Sequence, residues 1–227
     1  MQRQHLLIDA DDTLWENNVY FERAIAAFID FLAHSSLTPE EVRHVLDEIE
    51  RAGGYGSASF ARSLEATYRR LAEREVRAAD VARVHAFATD IRRNPIELLP
   101  GVAETLAYLA PRHDLVLVTK GEADEQRLKI EASGLEPTFR RALIVPEKDV
   151  ATYQGLLDDA DLGLDGGSTW MVGNSPRSDI NPALAAGLHA VYIPHPQTWR
   201  LEHQEIQSVA GRTLLTLDRF TELREHF

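Results

Sequence analysis

The stretch Leu6-Leu7-Ile8-Asp9-Ala10-Asp11-Asp12-Thr13-Leu14-Trp15 passes from three apolar residues straight into three carboxylates. An unbroken apolar run reads as a strand covered on both faces, because a half-exposed strand would alternate with polar residues. Like charges at its end repel one another and, where buried, lose hydration. Something must offset that cost. In open parallel sheets ligands bind outside the carboxyl ends of the strands, so a functional group is expected here.

Further apolar runs follow at Leu115–Val118, Leu143–Val145, Trp170–Val172 and Ala190–Ile193. Helix-length segments separate the later ones: Val102–Ala110, Glu122–Ser133 and Val150–Asp158. This alternation builds a parallel sheet through right-handed crossovers, so the class is α/β with helices on both faces, a doubly wound sheet. More than 100 residues separate the first run from the second, far beyond one crossover. That interval is patterned for helices. Phe21, Ala24, Ile25, Phe28 and Leu32 fall on one face, as do Val42, Val45, Leu46 and Ile49, then Phe60, Leu64, Tyr68 and Leu71, then Val81, Val84, Ala88 and Ile91. Thr38-Pro39-Glu40-Glu41 is a capping box with proline at the first helical position. The expected organisation is an α/β core over 1–15 and 97–227, with a helical bundle inserted over 16–96.

Composition narrows the function. A formal net charge of -12 disfavours nucleic-acid and anionic-membrane surfaces, which need excess Lys and Arg. Absence of cysteine removes disulfides, thiolate chemistry and cysteine-held zinc. No run approaches the roughly 18 apolar residues of a membrane span, and the N-terminus reads as no signal peptide, so a cytoplasmic enzyme acting on a small molecule is expected.

The polar residues after each strand are Asp9, Asp11 and Thr13, then Thr119 and Lys120, then Glu147 and Lys148, then Asn174 and Asp179. Asp9-Ala10-Asp11-Asp12-Thr13 fits the D-x-D-x-T motif of the haloacid dehalogenase superfamily. Val118-Thr119 resembles its second motif, Lys148 its third, and Gly173-Asn174-Ser175-Pro176-Arg177-Ser178-Asp179 its fourth. The resemblance runs from Ile8 to about Pro196, and the helical insertion looks like the cap of subclass I. It implies a Mg²⁺-dependent phosphatase of a small phosphorylated metabolite, working through an aspartyl phosphate. Asp9 would be the nucleophile, Asp11 the general acid and base, and Thr119 and Lys148 phosphate-binding residues. Asp9, Asn174, Asp179 and the main-chain carbonyl of Asp11 would hold the metal. A sugar phosphomutase uses the same pair of aspartates, and a weakly active phosphate-binding relative is a third reading.

Two departures matter. The fourth motif commonly carries an acid where this chain has Asn174, which would either ligate through its amide oxygen or orient a metal-bound water. Dehalogenases of the superfamily lack an acid at Asp11, because halide departure needs no proton, so Asp11 favours phosphate chemistry.

Other features divide between structure and function. Lys120 is either a solvated side chain or a second anion contact. Asp12 and Asp149 read as turn and cap residues, Asn181-Pro182 as a helix start, and Gly187 as its end. The histidines show no close ligand pairing and read as surface or packing residues, His195 between Pro194 and Pro196 being the exception to that reading. Gly53-Gly54-Tyr55-Gly56-Ser57 interrupts two good helices; it is either a plain connection or a loop whose Tyr55 and Ser57, with Arg62 nearby, read the substrate.

Overall fold

The apolar runs pair with one another as their pattern expects. In a computed structural model, which describes residues 3–227, the chain runs β1 (His5–Ile8), α1 (Asn18–Leu32), α2 (Pro39–Glu50), α3 (Gly56–Leu71), α4 (Ala78–Ile91), α5 (Val102–Leu109), β2 (Asp114–Lys120), α6 (Ala123–Ser133), β3 (Arg141–Val145), α7 (Val150–Asp158), β4 (Thr169–Gly173), α8 (Asn181–Ala185), β5 (His189–Tyr192), β6 (Leu214–Thr216) and α9 (Leu223–His226). The strands form one parallel sheet in the order β3-β2-β1-β4-β5-β6. This is the doubly wound α/β arrangement, Rossmann-like in its strand order. The order reverses at β1, whose Ile8 lies beside Leu117 on one side and Val172 on the other. A crevice opens at such a reversal, and β1 and β4 deliver Asp9 and Asn174 to it.

Alternate residues supply the two faces of the sheet, as the two-residue period of a strand requires. Leu6 and Ile8 pack with Val102, Leu106, Leu109 and Ile130 on one face. Leu7, Val116, Val118 and Met171 pack with Tyr153, Ala183 and Leu188 on the other. The short β6 pairs with β5, a strand that no apolar run announces.

The chain divides into two compact units, one of residues 1–16 and 96–227 and the other of residues 17–95, against expected limits one residue away at each crossing. Where the chain leaves and re-enters the α/β unit its two limbs run side by side: Glu16 N–H donates to Glu97 O at 2.9 Å, and Trp15 bridges Leu98.

The helical unit is built from α1 to α4. Ala24, Ile25, Phe28, Val42, Leu46, Phe60, Leu64, Tyr68, Val84 and Ala88 form its core, so the four stripes read from periodicity meet one another. Thr38 and Glu41 make the expected capping box. Three charged residues are buried among the described ones of this unit: Asp80, paired with Arg77, and Arg43 with Asp47, the guanidinium clamped by Glu22 at 2.6 and 2.8 Å and by Asp47 at 2.8 Å. Asp149 caps α7 through the Thr152 N–H, as expected. Asn181 differs from expectation. A single π turn, Pro176–Ile180, runs directly into α8, so Asn181 lies inside continuous helix and caps nothing. Its side chain instead binds Gln204, Glu205 and the Gln207 N–H. Gly187, with φ of 95°, ends the helix. Among the described residues no helix is long and apolar enough to cross a membrane.

Candidate active site

Asp9 follows β1 and holds its place by donating its N–H to Val172 O at 2.9 Å. The chain then turns sharply at Asp12, whose φ is 60°. This left-handed conformation suits few side chains, aspartate being among those that tolerate it. The turn returns Thr13 to Asp9: the threonine hydroxyl donates to Asp9 Oδ2 at 2.8 Å and lies 3.4 Å from Asn174 Oδ1. The opposite oxygen, Asp9 Oδ1, accepts from Lys148 Nζ. That ammonium also donates to Asp179 Oδ1 at 2.6 Å.

Lys148 is thus shared by two carboxylates, and all three groups are buried. The other oxygen of Asp179 accepts the Ser175 N–H at 2.9 Å. A side chain at Gly173 would overlap this carboxylate, which is why glycine ends β4. Burial, with the Asp9 charge adding to it, outweighs the lowering by Lys148 and the Ser175 N–H and raises the Asp179 pKa to about 7. Burial disfavours the Lys148 ammonium, but Asp179 and Asp9 more than reverse that and raise its pKa well above the usual lysine value. With both acids ionised, two carboxylates against one ammonium leave an excess of negative charge.

Thr119 is buried within β2, which extends through Lys120 instead of ending at Val118. Continuing the register places Thr119 one position beyond the level of Asp9. Lys120 directs its ammonium to internal oxygens, Glu202 and Ser178 at 2.7 Å each and Glu147 at 3.3 Å.

Asp11 is half-buried and drawn aside. Its carboxylate receives the Trp15 indole N–H at 2.8 Å, Gln126 Nε2 at 2.9 Å and Lys129 Nζ at 2.8 and 3.0 Å. Burial alone would raise its pKa, yet Lys129 and the three donors hold it below the usual aspartate value. The general-acid role read from the motif therefore needs Asp11 to leave these partners or take up a proton among them.

In the helical unit, Tyr55 precedes α3 in extended conformation, Ser57 is buried in the first turn, and Arg62 is exposed on the helix. Gly56, with φ of 84°, makes the entry to α3.

The structure adds groups that no motif marked. Lys129 and Gln126 reach Asp11 from α6, more than 110 residues away. Glu202, buried, accepts from Ser175 and Ser178 at 2.5 Å each, and Thr198 accepts from Asn174 Nδ2 at 2.9 Å. His195 stands between Asp12 and Glu16, at 3.9 and 3.5 Å. Its Nδ1 accepts the Gln197 N–H, so its hydrogen sits on Nε2, facing Glu16.

The donor set fits a hard divalent cation. Asp9, Asp179 and Asn174 Oδ1 offer only oxygen, the ligand chemistry of Mg²⁺, and the excess negative charge calls for a cation there. Asp9, Asp179, Asn174 and the main-chain carbonyl of Asp11 would hold it.

A family model of haloacid dehalogenase-like hydrolases matches residues 4–187. No curated protein matches. Among solved structures, a haloacid dehalogenase-like family hydrolase from Xanthomonas campestris is 31% identical, with a TM-score of 0.84 over 99% of this chain and 94% of that one. A putative HAD-hydrolase, YfnB, from Bacillus subtilis, solved bound to magnesium, is 18% identical with a TM-score of 0.67 over 100% and 99% of the two chains. A predicted phosphoglycolate phosphatase from Haemophilus somnus is 18% identical with a TM-score of 0.66 over 100% and 98%. The latter two share the fold, and 2-haloacid dehalogenases share it as well. With four ordered motifs at the ends of parallel strands and a matching family model over most of its length, the chain belongs to the haloacid dehalogenase-like hydrolases.

Proposed function

We propose that this hydrolase is a Mg²⁺-dependent phosphatase of a small phosphorylated metabolite. The observation that carries the reading is a second carboxylate, Asp11, two residues beyond the buried Asp9 in a site lined by oxygen donors. A halide leaves without a proton, whereas an alkoxide needs one.

Each oxygen of Asp9 has one donor, Thr13 or Lys148, which orients the carboxylate and leaves lone pairs to meet phosphorus. Attack forms the Asp9–phosphorus bond and breaks the ester bond, the departing oxygen taking its proton from Asp11. Water then attacks phosphorus and gives its proton to Asp11, releasing orthophosphate and restoring Asp9. Lys148 and Thr119 meet phosphoryl oxygens. Bound Mg²⁺ supplies positive charge to the transferring group. Asp11 starts ionised among Trp15, Gln126 and Lys129, so the acid step follows its protonation and release from that hold. Tyr55, Ser57 and Arg62 of the helical unit are assigned to substrate choice. The chemistry is assigned to the cytoplasm.

The test is a release assay over metabolite phosphate esters and 2-haloacids, with Mg²⁺ or with a chelator. Orthophosphate release that needs the metal and vanishes in Asp9→Asn is expected. Asp11→Asn should lose about 10²- to 10⁴-fold on alkyl phosphates and much less on p-nitrophenyl phosphate, whose leaving group needs no proton. Metal-independent halide release would overturn the reading, and return of an isomer without orthophosphate would make the chain a mutase.

A further inference from the structure

Residues 194–202 lie beyond the matched family segment, 4–187, yet they hold the fourth motif. Thr198 is buried, and its hydroxyl donates to His195 O at 2.9 Å. With its hydrogen committed there, only lone pairs face Asn174, whose Nδ2 approaches at 2.9 Å. The amide nitrogen is thereby turned to Thr198, and Oδ1 is turned to Thr13 and Asp9. Four residues on, Glu202 anchors the turn that follows Asn174, accepting from Ser175 and Ser178 while Lys120 balances its charge at 2.7 Å. Ser175 Oγ in turn accepts the Ser178 N–H at 2.9 Å, closing the turn on itself.

We propose that Thr198 is a positioning residue for the divalent cation: it aims the Asn174 amide oxygen at the cation site, so that a neutral ligand serves where relatives commonly carry an acid. A cation accepts an amide oxygen and is repelled by an amide NH₂, so the orientation of one side chain decides whether Asn174 contributes. A carboxylate at 174 would need no such aiming, since both of its ends are oxygen. The inference rests on the metal-dependent reading above.

Direct Mn²⁺ binding, followed by the electron paramagnetic resonance of free Mn²⁺ in the absence of substrate, tests it. Thr198→Val keeps the shape and removes the acceptor; about a tenfold weaker affinity is expected, within the range for partners of metal ligands. Thr198→Ser, which restores the hydroxyl, should restore the affinity. In an Asn174→Ala background Thr198→Val should change nothing further. Wild-type affinity in Thr198→Val, whatever its melting temperature, overturns the positioning role and leaves the metal reading standing. Equal losses from Thr198→Val with and without Asn174 overturn it too. A wild-type protein that binds no Mn²⁺ overturns the metal reading itself, and the proposal with it.

Discussion

The two units of this chain bury different things. The helical unit closes four apolar stripes on one another and leaves its ion pairs Arg69–Glu65, Arg70–Glu48 and Arg93–Asp90 largely in solvent, Arg43 and its two acids aside. The α/β unit buries Asp9, Lys148, Asp179 and Glu202 at the strand ends. Apolar burial stabilises by itself, at about 25 cal/mol per Å², whereas a buried charge costs free energy unless its partners stay in place. The first kind of interior tolerates loss in proportion to the atoms removed. The second fails when one partner is taken away.

The sharpest way to break the contrast is Lys148→Met. It leaves Asp9 and Asp179 buried without their shared cation, and a loss of about 3–5 kcal/mol in the α/β unit is expected. Chemical denaturation reads it, and the deficit should shrink in acid as Asp179, whose pKa burial already raises, takes up a proton. Leu64→Ala removes a fully buried side chain from the helical core. It should cost about 2–5 kcal/mol, with faster amide exchange confined to α1–α4. A loss spread over the α/β unit would contradict two separate cores. Thr38→Ala strips the α2 cap and should cost about 1 kcal/mol.

The smallest effect is one of pH. His113 and His189 each accept a backbone N–H at Nδ1, from Gln4 at 3.2 Å and Thr213 at 2.8 Å, which requires a neutral ring. Burial lowers both pKa values, with Arg3 adding to it for His113 and Arg212 for His189. A pKa lower in the folded than in the unfolded state binds fewer protons when folded. The stability it contributes is therefore present above about pH 6.5 and lost as pH falls below that value. Melting curves from pH 7 to pH 5 should show a smaller decline in His113→Gln, whose amide oxygen can still accept, than in the wild type.

How much was legible in the residues follows the same division. Five of the six strands announce themselves as unbroken apolar runs, because both faces of a parallel sheet are covered. The stripes of α1 to α4 are legible because a helix repeats every 3.6 residues. The sixth strand, Leu214–Thr216, is too short to carry a period, and only its pairing with β5 defines it. Asn181 has the look of a cap, but a cap exists only where a helix begins, and the π turn carries the chain through it. Asp9, Lys148, Asn174 and Asp179 were readable together because each follows the end of a local strand, whereas Thr119, expected after one, lies inside β2. Lys129 on Asp11, Thr198 on Asn174 and Glu202 on Lys120 were not.

The chain alone therefore determined the parallel sheet, the helical insertion and the residues offered at the strand ends, since periodicity, capping and turn chemistry act over a few neighbours. Tertiary structure alone decided which way those residues face: Asp11 toward Lys129, the Asn174 amide toward Thr198, Lys120 toward Glu202. Orientation is set by a partner's donor or lone pair, and those partners arrive from 24 to more than 100 residues away, where no local pattern reaches.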